Sequence, residues 1–231
     1  MRIFAIGDLH LSHGSEKPMD LFGTHWKEHT QKIKESWENH ITSEDIILIP
    51  GDISWAMRLK EATPDLNWLD TLPGKKICIR GNHDYWWDRP KKLADAYPEM
   101  VFLQNNAYSA GKITFCGTRG WICPNPTSFT EEDERLFTRE LTRLKLSLED
   151  AIRQGTEEIW VMLHYPPTYG EHKQSPVTEL LKQYPVKKVI YGHLHDQNSW
   201  NLAIKGSIEG IEYHLVSADY LQFNPALLLS K

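Results

Sequence analysis

The sequence predicts an α/β protein in which mixed β-sheets stack under helices. Short apolar runs rich in Ile, Val and Phe recur along the chain, and each ends in Gly, Asp, Asn or His. Stretches with helical spacing and helix caps lie between them, and turn-punctuated hairpins follow. The apolar runs are 2–7, 45–50, 76–80, 158–163 and 186–191. They are short, β-branched and bounded by turn residues, so they read as strands. Without strict apolar–polar alternation, they read as strands buried on both faces.

The helical stretches follow the same logic. Residues 24–40 bring Trp26, Ile33 and Trp37 near one face. Thr63-Pro64 has the form of an N-cap followed by a first-turn proline. The longest helix is expected over 130–154. Thr130 caps it, Glu131, Glu132 and Asp133 complement its N-terminal dipole, and Gly155 stops it. Phe137, Leu141, Leu144, Leu148 and Ile152 supply its apolar face. Residues 107–117 and 199–217 read as hairpins, turning at Ala110-Gly111 and within 206–210.

The chain has 231 residues, no repeat and no linker, which predicts a single domain over 1–231. Its 26 Lys and Arg against 31 Asp and Glu give a net charge of −5. Without a basic block, that balance argues against a nucleic-acid partner. No long uncharged apolar run suggests a membrane span. Asp8 falls too early for the apolar region of a signal peptide. Cys78, Cys116 and Cys123 are few, odd in number and free of CxxC spacing, which predicts reduced thiols in a cytoplasmic protein.

The strand endings carry the chemistry. In order they are Gly7-Asp8-Leu9-His10, Gly51-Asp52, Gly81-Asn82-His83-Asp84, His164 and Gly192-His193-Leu194-His195. Every ending supplies oxygen or imidazole donors and none supplies a thiolate. Read as extended backbone, Asp8 and His10 point the same way, as do His193 and His195, and each pair can chelate one ion. Seven donors (Asp8, His10, Asp52, Asn82, His164, His193, His195) exceed the need of one tetrahedral ion. They suit two ions sharing a carboxylate, with Mn, Fe or Zn the metals that such mixed donors favour. Two ions ~3.5–4 Å apart can hold a bridging hydroxide for in-line attack at phosphorus. Any one ending alone reads as an ordinary turn or cap. Five in one chain, with compatible donor types, do not.

This ordered set, running from Asp8 to His195, resembles the calcineurin-like metallophosphoesterase superfamily. Segments 51–55 and 81–87 are similar to bacterial predicted phosphohydrolases of unassigned substrate. The resemblance implies a four-layer α/β/β/α sandwich of two mixed β-sheets flanked by helices. It implies that Asp8, His10 and His195 hold one metal, that Asp52 bridges, and that Asn82, His164 and His193 hold the second. It also implies that His83 assists the leaving oxygen, with Asp84 orienting its ring. The expected activity is hydrolysis of a small phosphodiester or phosphomonoester. A nuclease would be expected to carry basic charge and DNA-binding segments, and a lipid-precursor pyrophosphatase of this superfamily usually has arginine at the position of His83. A non-catalytic scaffold of the same fold is the alternative reading.

Other residues suggest substrate contacts. His13 follows the first ligand loop, Trp86 follows the catalytic turn, and Arg119 can grip phosphate bidentately. Each has a plainer role open to it: surface histidine, core indole and ion pair. Tyr85, Trp87, Trp55, Arg58 and Arg89 stand in the same position. The acidic run 131–134 is a helix start rather than a catalytic pair.

Overall fold

The computed structural model describes residues 1–14, 17, 19–125 and 127–230. They form two compact units, the first of Met1–Phe102 with Val216–Lys231, the second of Leu103–Leu215.

The first unit is built on a five-stranded mixed sheet. Its strands are β1 (Ile3–Ala5), β2 (Ile46–Ile49), β3 (Lys75–Ile79), β4 (Met100–Leu103) and β11 (Ala226–Leu229), in the order β11-β1-β2-β3-β4. β1 runs parallel to β2, and β2 to β3, while β11 is antiparallel to β1. Every residue of β1 and β2 is buried, as their unbroken apolar runs predict. Helices α1 (His29–His40), α2 (Leu59–Thr71) and α3 (Pro90–Ala96) belong to this unit. Ile33 and Trp37 of α1 join Ala62, Leu66 and Leu69 of α2 in one apolar core with Phe4, Ile47, Ile49 and Phe102.

The second unit carries a six-stranded mixed sheet in the order β5-β6-β7-β8-β10-β9. These strands are β5 (Ala107–Ala110), β6 (Ile113–Thr118), β7 (Glu158–Leu163), β8 (Val186–Tyr191), β9 (Gly206–Ile208) and β10 (Ile211–Leu215). β6, β7, β8 and β10 run parallel, with β5 and β9 antiparallel at the edges. Helix α4 (Glu131–Arg153) packs on β5 and β6. Its N-terminus is a full capping box, with the Thr130 side chain accepting from the Asp133 backbone and the Asp133 side chain accepting from the Thr130 backbone. Two short helices, α5 (Pro176–Leu181) and α6 (Gln197–Leu202), complete the unit.

Two mixed sheets with flanking helices are the architecture the sequence predicts. Individual elements differ. Helix α1 begins five residues later than expected, because Glu28 takes a left-handed φ of 56° that no continuous helix accommodates. Helix α2 begins before Thr63-Pro64 and carries Pro64 inside it. Thr63 is therefore no cap; its hydroxyl donates back to the Leu59 carbonyl. Residues 199–202 are the end of α6 rather than hairpin strand, since the Asp196 side chain accepts from the Ser199 N–H and starts a helix there. Ile152 is 46% exposed, so the buried face of α4 closes with Ala151 instead.

Asp45 anchors the entry to β2. Its carboxylate accepts hydrogen bonds from the Arg2 backbone N–H and guanidinium and from the Thr42 N–H and hydroxyl, tying the start of β1 to the turn before β2. The Arg2 hydrogen bonds outweigh burial and hold this carboxyl well below the usual carboxylate range. A depressed folded-state pKa means that the stabilisation is present above the unfolded value and is lost as pH falls. Asp45→Asn is therefore expected to lower the urea midpoint at neutral pH. The gap from wild type should stay constant above ~pH 5 and shrink below ~pH 4, read from unfolding curves across that range.

Candidate metal and active site

In the first unit the carboxyl ends of parallel strands β1, β2 and β3 face one edge, and the loops that leave them carry Asp8 and His10, Asp52, and Asn82 to Asp84. Asp8, His10 and Asp52 are all buried. Asp8 offers a ligand atom within 4.8 Å of one from His10, and likewise of one from Asp52. The His10 Nε2 atom stands 3.8 Å from an Asp52 carboxylate oxygen. The His83 backbone N–H donates to the other Asp52 oxygen at 2.8 Å, which fixes the β3 loop to the β2 loop.

The reason these side chains converge differs from the extended-strand reading. Asp8, His10 and Asp52 have φ of 55°, 45° and 51°, and His193 has 74°, all left-handed. Alternation along a strand therefore does not aim them. A sharp backbone turn at each residue does, at a conformational cost of ~1–3 kcal/mol apiece that tertiary structure must offset. Gly81 is needed for a related reason: a Cβ there would overlap the Asp52 carboxylate and its backbone nitrogen.

The second unit carries imidazoles at its own strand ends. β7 and β8 are parallel, and His164 follows one while His193 and His195 follow the other. His164 is fully buried. The His193 Nδ1 and His164 Nε2 atoms are 3.2 Å apart, with the rings edge to face. The ring of Tyr165 lies 4.1 Å from that of His193.

The donors present fit divalent or trivalent transition ions. Asp8 and Asp52 are two carboxylates buried close together, an arrangement whose like-charge and desolvation costs call for positive charge beside them. Carboxylate, amide oxygen and imidazole are the donors that Mn, Fe and Zn accept.

Asp84 does not orient the His83 ring. Fully buried, it accepts hydrogen bonds at Oδ1 from the Ile53 N–H, the Ser54 N–H and the Trp86 indole, and at Oδ2 from the Gly81 N–H. Its role is to clamp the loop after β2 to the loop after β3. Burial, reinforced by the Asp52 charge, pushes this carboxyl up to about 7, against the pull of the backbone donors. Trp86, expected as a substrate contact, is 2% exposed and belongs to the core; its N–H serves Asp84. The tryptophan that packs against the His83 ring is Trp55 instead. It stacks on His10 with centroids 4.8 Å apart and lies 4.3 Å from His83.

His13 donates its backbone N–H to Asp65 at 2.7 Å, and its ring Nδ1 lies 2.9 Å from the same oxygen. The Ser54 hydroxyl donates to the other oxygen of Asp65. Sequence reasoning missed Asp65, although the signal was present: a carboxylate in the apolar stripe Ala62, Asp65, Leu66 and Leu69 of α2. Arg119 occupies an ion-pair position, 3.7 Å from buried Glu140, with its guanidinium over the Trp121 ring.

A sequence description of calcineurin-like phosphoesterases matches residues 1–197. The chain belongs to the calcineurin-like phosphoesterase family. The family is one of metal-dependent phosphoester hydrolases, and the clusters described above are its candidate metal-binding groups. The chain is also similar to the gene 66 protein of Mycobacterium phage D29, 32% identical over 105 residues that make up 45% of this chain and 49% of the phage protein. The gene 66 protein of Mycobacterium phage L5 is 31% identical over 116 residues, 49% of this chain and 55% of its own length. The match thus spans about half the length of these curated relatives. A crystal structure of a protein of unknown function from Aquifex aeolicus aligns over 98% of this chain and 95% of its own, with a TM-score of 0.47 and 13% identity.

Asp84 offers a direct test of the loop clamp. Asp84→Asn leaves the Gly81 N–H facing an amide donor, and is expected to cost ~1–3 kcal/mol in urea unfolding. Asp84→Ala, which strands all four donors, is expected to cost more than Asp84→Asn.

Proposed function

We propose that this chain is a dinuclear metal-dependent phosphoesterase acting on a small phosphodiester or phosphomonoester. The observation that supports this most directly is the set of carboxylate, amide and imidazole donors at the strand ends of the two units, four of them held in left-handed backbone. In this reading Asp8, His10 and His195 hold one ion, Asp52 is shared, and Asn82, His164 and His193 hold the other. When bound, the two ions supply Lewis-acid activation of the phosphoryl group and of the attacking water.

The remaining chemistry belongs to the side chains. His83 protonates the oxygen that leaves phosphorus, and the bond from its own N–H to Asp52 keeps its loop beside the bridging carboxylate. The Trp55 ring supports His83 and His10 together, limiting the swing of both imidazoles. Asp84 acts through these loops, as a positioning residue. The exposed His13 ring, tied to Asp65, is a substrate-contact position of second rank, whereas Arg119 is engaged by Glu140.

No helix among the described residues is long and apolar enough to cross a membrane. The three cysteines are free and buried, which supports a reducing, cytoplasmic setting.

His83→Ala is expected to reduce hydrolysis of p-nitrophenyl phosphate and bis(p-nitrophenyl) phosphate by at least ~100-fold, the low end of a general acid's contribution, and Asp52→Asn to reduce it at least as much through loss of metal, with unfolding midpoints retained. Elemental analysis should find close to two transition-metal equivalents in wild type and fewer in Asp52→Asn. Metal-replete protein inert toward mono- and diesters alike would overturn the reading and leave a scaffold of this fold.

A further inference from the structure

The second unit contains a pocket of about 540 Å³, within the ~300–1,000 Å³ usual for small-ligand sites. Its location follows from topology. β6, β7 and β8 are parallel neighbours, so the loops after Thr118, Leu163 and Tyr191 leave the sheet at one edge. Those loops and α6 build the pocket. Ile122, Tyr165, Pro166, Leu194, Leu202 and Ala203 supply apolar wall, and His193 is part of the lining.

Three features define what the pocket takes. Among the described residues no lysine or arginine lines it and Glu171 is the single carboxylate, so it offers no fixed cation to a second phosphate. The Cys123 thiol in the wall donates to the Pro167 carbonyl at 3.3 Å, and burial pushes its pKa up to about 12, so it stays neutral. Tyrosine rings stand at two depths. Tyr165 contacts both His193 and His164, with centroids 4.1 Å and 5.5 Å away, while the exposed Tyr169 stacks with His172. Flat aromatic surfaces of this kind receive flat ligands.

We propose that this pocket binds the uncharged, planar organic group of a phosphate ester, a ring of aryl or nucleobase size, while the phosphoryl group sits at the imidazoles of His164 and His193. This rests on the phosphoesterase reading and narrows it: the substrate class is phosphate esters bearing an aromatic group, as opposed to polyphosphates or simple alkyl esters.

The test compares 2-naphthylmethyl and methyl phosphate esters, as mono- and diesters, on the full metal-loaded chain. Both release an alkoxide of similar basicity, so a difference in rate reports recognition rather than leaving-group chemistry. Wild type is expected to show a kcat/KM at least tenfold higher for the naphthylmethyl ester. Leu202→Arg should reduce that ratio at least tenfold, and so should Ile122→Glu, an exposed rim position where folding is not at stake. Titration with 2-naphthylmethyl phosphonate, followed by tryptophan fluorescence, gives a readout apart from turnover and should show dissociation constants at least tenfold weaker in both variants. Equal hydrolysis of both esters would keep the phosphoesterase reading and overturn the pocket assignment. Hydrolysis of neither, with p-nitrophenyl phosphate and bis(p-nitrophenyl) phosphate also left intact, would overturn the phosphoesterase reading. The phosphonate titration then decides the pocket, and equal dissociation constants for wild type and variants overturn it.

Discussion

The Asp84 carboxylate accepts three backbone N–H groups and one indole N–H, and the donors come from two separate loops. Ile53 and Ser54 follow the shared-carboxylate candidate Asp52, and Gly81 precedes Asn82 and His83. A single buried carboxyl group thus sets the spacing between the second and third strand endings. The hydrogen bond from the His83 N–H to Asp52 runs parallel to it and closes the same gap a second time. Two carboxylates satisfied by loop backbone make the loops rigid without any regular secondary structure. That rigidity is what lets residues in left-handed backbone persist, since each would relax if its neighbours were free.

Strand assignment was largely legible in the sequence because the strands are short, β-branched and uninterrupted. Expected runs 158–163 and 186–191 coincide with β7 and β8. The helix starts were less legible. Glu28 carries no local signal for left-handed φ, and Thr63-Pro64 mimics a cap while lying inside α2. α3, α5, α6, β4 and β11 give no sequence signal of their own. All five are seven residues or shorter, too short for a periodic pattern to rise above composition.

For the site, residue identity was legible and residue role only in part. Donor type and order can be read along a chain, since they depend on side-chain chemistry. What a neutral observer of the sequence cannot read is which partner a side chain meets. Asp84 and His83 are adjacent, yet Asp84 turns toward Ile53, Ser54 and Gly81. Trp86 and Trp55 are both tryptophans next to a ligand loop. One is buried under Asp84, and the other stacks on His10. Those outcomes are decided by packing, which sequence spacing does not encode.

The pairing of β11 with β1 bears on how the chain matures. β1 lies at residues 3–5 and its antiparallel neighbour at 226–229, so more than two hundred residues must be synthesised between them. Until β11 leaves the ribosome, Ile3, Phe4 and Ala5 present an apolar strand with one edge open, the kind of surface that invites pairing with another molecule. The nascent chain therefore has a window of vulnerability that closes only once β11 has emerged, and chaperone demand should be concentrated in that interval.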